Sequence, residues 1–119
     1  MTLQEAHAAL DALAVAAQAD TVPAIRYELK ARAHEFRRAI TALAEANTEG
    51  TEACIVTFGE VCRGQYVWEP VSDTEDPWLF VVRQMRTYGQ LSIHLERPND
   101  SRGVYLNCYA ESSPVVVKA

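Results

Sequence analysis

Glycine, proline and cysteine are scarce in this chain of 119 residues, which has five, five and three of them. The glycines are too far apart for a GxGxxG or P-loop phosphate-binding motif. Three cysteines without a CxxC pair argue against a disulfide framework and against a zinc knuckle. GxSxG, HExxH and EF-hand patterns are also absent. We therefore predict no catalytic residues, no metal site and no cofactor, and we favour a protein that is not an enzyme.

Long apolar runs and an early basic segment are missing as well. No run approaches the roughly 20 apolar residues that span a bilayer. The first Lys or Arg is Arg26, so the basic start of a secretory signal does not occur. These two absences predict a cytoplasmic protein without membrane contact.

The acidic residues are concentrated in one quarter of the sequence. The whole chain has 11 Lys plus Arg, 16 Asp plus Glu and a net charge of −5. Residues 45–76 contain eight acidic residues and one basic residue, a local net of −7, which leaves ten basic and eight acidic residues, a net of +2, elsewhere. Such a concentration of carboxylates speeds encounter with a cationic surface and repels anionic ones. We expect no direct binding to nucleic acid.

The first fifty residues have the pattern of two helices. Thr2 and Glu5 form a capping-box pattern at the start of an alanine-rich helix, whose small residues offer a seam for a homo-oligomer. Pro23 favours the first turn of a second helix that runs to about Asn47. The short link between them predicts an antiparallel hairpin. Because the second helix is longer, its C-terminal half is expected to cover another surface.

Residues 51–119 have the pattern of strands. Apolar and polar residues alternate over residues 91–96 and 104–109, which predicts two half-buried strands. Ile93 should face Leu106 and His94 should face Tyr105, because a slip of one residue would invert one strand. Residues 115–117 are predicted to form a last edge strand. The predicted fold is one α+β domain, with a helical hairpin over residues 1–50 packed on an antiparallel sheet of four to six strands, a β-meander over residues 51–119.

Residues 78–88 are compatible with two structures. A cap at Asp76, a proline at position 77 and a glycine at position 89 would suit a helix, whereas Trp78, Phe80 and two adjacent valines suit a central strand. We favour the strand. A helix here would instead indicate a cone-like α+β barrel with an internal cavity, in which His94, Tyr66 and Tyr105 line a pocket.

The best-supported function is that of a non-enzymatic protein-binding module. A small bacterial or phage inhibitor, immunity protein or adaptor of this kind would dock an acidic surface on a basic partner, and would act as a nucleic-acid mimic if that partner normally binds nucleic acid. The alternative is a small-ligand-binding or enzymatic α+β barrel with a polar aromatic pocket. The expected partner-binding residues are the carboxylates, the two tryptophans and the outward face of the last hairpin: Glu69, Asp73, Glu75, Asp76, Trp68, Trp78, His94, Tyr105 and Tyr109.

Overall fold

A hairpin of two helices packs on one antiparallel sheet, so the α+β architecture predicted from the sequence is confirmed. The computed structural model describes residues 1–69, 77–88, 90–97, 100–108 and 111–119. For residues 87, 90 and 100–108 it describes the backbone alone. The elements are α1 (Leu3–Ala19), α2 (Pro23–Thr48), β1 (Ala53–Thr57), β2 (Tyr66–Trp68), β3 (Trp78–Thr87), β4 (Gln90–Arg97), β5 (Asp100–Cys108) and β6 (Pro114–Lys118). Within the described part of the chain, no helix combines the length and apolar character needed to cross a membrane.

The helices begin where the sequence indicates. Thr2 Oγ1 accepts the Glu5 N–H at 3.1 Å, and the Glu5 carboxylate accepts from Thr2 in return. Pro23 occupies the first turn of α2. The buried residues of α2 begin only at Ala33, whereas Ile25 is 43% exposed although it continues the same apolar stripe. The apolar stripe is thus longer than the part of α2 that is buried.

The sheet has six strands in the order β1-β6-β2-β3-β4-β5. Residues 78–87 form a strand, so the condition for the cone-like barrel is not met. The predicted pairs Ile93 with Leu106 and His94 with Tyr105 are both present. The predicted meander describes only β2 to β5, which follow one another in chain order.

The prediction of β6 as an edge strand is wrong. β6 lies inside the sheet, with Val116 opposite Ile55 of β1 and Val117 opposite Val67 of β2. Val115, Val116 and Val117 are all buried, as expected for a strand that is covered on both faces. β6 therefore joins the strand next to the helices to the four-stranded meander.

Each face of the sheet has its own core. Because side chains alternate between faces along a strand, Trp68, Trp78 and Val116 pack under Ala39 and Leu43 of α2. Val67, Leu79 and Val117 lie on the opposite face with the apolar residues of β4. The second core is closed by Phe58 and Val61, which belong to the short segment that follows β1.

The far end of β3 bends back over this second core. A register shift between Val81 and Arg83 marks an irregularity of the kind that bends a strand. Beyond it, the Gln84 side-chain amide donates to the carbonyl oxygens of Phe58 at 3.3 Å, Gly59 at 3.5 Å and Val61 at 3.2 Å. The sheet therefore curls, and one glutamine holds β3 against the segment after β1.

Replacing this amide by a carboxylate tests the curl. Gln84→Glu keeps the shape but turns a donor into an acceptor that faces three carbonyl oxygens. We expect a loss of about 1–2 kcal/mol in the free energy of unfolding at pH 7, measured by urea denaturation. Arg83→Ala is the matched control, since Arg83 is exposed. Equal stabilities for Gln84→Glu and the wild type would mean that the amide does not hold the curl.

Candidate functional site

A groove of about 670 Å³ runs between α2 and the part of the sheet formed by β2 and β6. Its apolar lining combines Trp68 and Val116 from the core under α2 with Phe58, Val67 and Val115 from the core on the opposite face. β2 and β6 are paired beside the groove through Val67 and Val117.

One face of α2 forms the wall of the groove. His34, Arg38, Thr41 and Glu45 recur at steps of four, three and four, so they lie in one row along the helix. Arg38 and Glu45 are separated by about 10 Å along the axis at 1.5 Å per residue. The wall therefore has a cationic end and an anionic end.

Glu69 lies across the groove from this wall. It follows β2 directly, and its N–H donates to the Pro77 carbonyl at 2.7 Å. The side chain is half-buried, and burial raises the pKa of the Glu69 carboxyl, while the nearby Arg38 guanidinium opposes that rise in pKa. Within the described part of the chain, the carboxylate has no hydrogen-bond donor and no ion pair. Glu69 therefore bears a desolvation cost that the charge of Arg38 offsets only in part.

The two tryptophans expected to anchor a partner are buried. Trp68 and Trp78 are each 6% exposed and face each other across β2 and β3, with ring centroids 5.1 Å apart in an edge-to-face arrangement. Trp68 lines the groove beside Glu69, whereas Trp78 packs under α2 with it. A ligand in the groove could reach the edge of Trp68 but would not find an exposed indole.

Of the other predicted partner-binding residues, His94 alone has a described side chain. His94 lies on β4, two strands away from β2, and its Nε2 is 3.4 Å from Glu96 Oε1. Tyr105 stands opposite His94 in β5, and its side chain is outside the described set. Asp73, Glu75, Asp76 and Tyr109 lie outside the described residues. The structure thus brings Trp68, Glu69 and Trp78 together and places His94 elsewhere.

The basic residues of the groove were not predicted to belong to a site. Arg37 and Arg38 both line it, and in the sequence they stand among interleaved acidic and basic residues of a helix surface. The helical spacing from His34 to Glu45, with steps of four, three and four, is the signal that could have found this wall. Among the described side chains, no three His, Cys, Asp or Glu residues are grouped closely enough to hold a metal ion.

Comparisons with known proteins do not identify the groove. The chain matches no protein-family model, no curated protein and no solved structure. The groove is therefore interpreted from its own residues.

The raised pKa of Glu69 predicts a pH-dependent effect on stability. The fold favours the neutral carboxyl, so Glu69 lowers stability as the pH rises from below its ordinary pKa of 4.5 towards neutral. Glu69→Gln should therefore be more stable than the wild type at pH 7, and the difference should vanish in acid. Urea unfolding at a series of pH values measures this.

Glu60 provides a control in which the pKa shift has the opposite sign. The Thr57 hydroxyl donates to its carboxylate, which lowers the pKa of Glu60. Glu60→Gln should therefore lose stability at pH 7 relative to the wild type and regain it in acid. If Glu69→Gln were no more stable than the wild type at pH 7, Glu69 would not bear an uncompensated burial cost.

Proposed function

We propose that this protein is a non-enzymatic protein-binding module that docks an acidic surface on a basic partner, as a small bacterial or phage inhibitor, immunity protein or adaptor does. The main support is Glu69, a half-buried carboxylate without a described partner at the edge of an open groove. A cationic side chain brought by another protein would form an ion pair there and offset the burial cost.

Further carboxylates are near Glu69 either in the groove or in the sequence. Glu45 lines the same groove from α2. Asp73, Glu75 and Asp76 lie in the sequence between Glu69 and Pro77, whose backbones are hydrogen-bonded to each other. A basic surface docked here would be attracted over long range, and an anionic polymer would be repelled. If the partner normally binds nucleic acid, these carboxylates would compete for the same surface.

Charge reversal tests the acidic surface. We expect the triple variant Asp73→Lys, Glu75→Lys and Asp76→Lys to lose capture of the partner that the wild-type protein retains from a lysate of its native host. The salt dependence of any residual binding should also be flatter, because fewer charges are neutralised at the interface. Capture at graded salt concentrations, with quantitative mass spectrometry, measures both effects.

A matched control changes the same number of charges elsewhere. Asp11→Lys, Glu28→Lys and Glu52→Lys reverse three exposed acids that do not line the groove. This control should retain capture of the same protein. Equal loss in both triple variants would mean that only the net charge matters, and equal retention in both would reject the acidic surface.

The size of the groove favours a second candidate function. Its volume of about 670 Å³ lies within the range of small-molecule pockets, and its apolar lining has a few polar groups around it. The protein would then bind a small molecule in the groove, and not in the interior of a barrel as the sequence suggested.

Filling the groove separates the two functions. Thr41→Phe should displace a small molecule bound beside α2, whereas docking on the outer carboxylates should persist. Native mass spectrometry of protein purified from its host measures the bound small molecule. Thr48→Phe is the matched control, because both hydroxyls donate to the carbonyl four residues earlier and Thr48 does not line the groove. Absence of a bound small molecule from the wild type would reject the second function.

A further inference from the structure

Four aromatic side chains form a block across β2 and β3 on the helix-bearing face of the sheet. Tyr66 faces Phe80 and Trp68 faces Trp78 in the strand register. Both pairs are edge-to-face, with ring centroids 5.5 Å and 5.1 Å apart. The two tryptophans are buried, whereas Tyr66 and Phe80 are only half-buried. This aromatic block therefore has an accessible side at Tyr66 and Phe80.

A cation already lies on this block. Lys118 of β6 places its Nζ 5.2 Å from the centre of the Tyr66 ring and 5.5 Å from the centre of the Trp78 ring. Both distances are within the range in which an ammonium group is attracted by an aromatic face. Lys118 is itself exposed, so its ammonium remains next to solvent. The contact is reversible in principle, because the lysine can leave the rings without opening the core.

The strand register also places a carboxylate beyond the block. Lys118 is next to Tyr66 across β6 and β2, since Val117 faces Val67. The same row continues through Phe80 to Glu96 of β4. A cation on Tyr66 and Trp78 would therefore have aromatic rings beneath it, with the Glu96 carboxylate two strands from Tyr66 in the same row, beside His94. This arrangement suits a guanidinium or an ammonium group and disfavours an anion.

We infer that the aromatic block is a binding site for an arginine or lysine side chain of the basic partner, and that Lys118 occupies this site in the free protein. The inference rests on the proposed function for the identity of the partner. Arg binds aromatic faces more readily than Lys, because its guanidinium is planar and more weakly hydrated. An incoming arginine would therefore displace Lys118 and take its place on Tyr66 and Trp78.

The test uses a hexa-arginine peptide as the probe and does not require the partner. Trp68 and Trp78 are the two tryptophans of the chain, so intrinsic tryptophan fluorescence reports on the block directly. Lys118→Ala should bind the probe roughly three- to tenfold more tightly than the wild type, because the competing ammonium is gone. Adding Tyr66→Leu to that variant should abolish the gain, and Lys118→Arg should not produce it.

The other lysine of the chain supplies the control for net charge. Lys30→Ala removes the same charge from an exposed position on α2. Any non-specific attraction of the probe to an acidic protein rises equally in both alanine variants. Equal affinities for Lys118→Ala and Lys30→Ala would overturn the inference, while the acidic docking surface would still be judged by its own charge-reversal experiment. A gain confined to Lys118→Ala and lost with Tyr66→Leu would support it.

Discussion

The insertion of β6 between β1 and β2 is the constraint on which the rest of the structure depends. β1 is next to the helices, and β2 begins the four-stranded meander, so β6 connects the two halves of the sheet. Val116 contributes to the core under α2, while Val115 and Val117 contribute to the core on the opposite face. Because β6 is buried on both sides, three consecutive valines stabilise both cores at once. The groove lies along its border with β2, and Lys118 of β6 contacts the aromatic block that begins on β2.

The charged side chains that line the groove differ in whether they have a described partner. Arg38 is near enough to Glu69 to lower its pKa, yet the two do not form an ion pair. Closing that pair would span the groove and would cost side-chain entropy at a partly exposed position, where such pairs contribute little. Glu35 differs, because its carboxylate accepts from the buried Ser113 hydroxyl at 2.8 Å and ties α2 to the start of β6. The Glu35 carboxylate thus has a hydrogen bond that stabilises the fold, whereas the Glu69 carboxylate has no described partner and is available to another protein.

Patterns among residues near in sequence predicted the helices and most of the strands. The groove and the aromatic block were not predicted, because they depend on contacts between residues far apart in sequence. The capping box at Thr2, the proline at the start of α2 and the register of His94 with Tyr105 depend on residues near in sequence or on simple alternation. The position of β6 depends on pairing with two strands that lie about fifty and about sixty residues earlier, which no periodicity reports. Treating it as an edge strand concealed the proximity of Lys118 to Tyr66. The groove was missed for a similar reason, since α2 and Glu69 meet only in the folded chain.

The groove and the aromatic block share the indole pair, and this determines how a partner could use them. Trp68 lines the groove and Trp78 lies beneath Lys118, with their rings in direct contact. Because α2 covers most of both indoles, a partner meets only the part of Trp78 beneath Lys118 and obtains most of its apolar contact from Tyr66 and Phe80. The carboxylates supply long-range attraction, whereas the rings require close contact and desolvation. Two modest contacts on one face bind more tightly together than either does alone, because the second forms within an existing complex. A basic surface that reaches both would therefore be selected over one that offers charge alone.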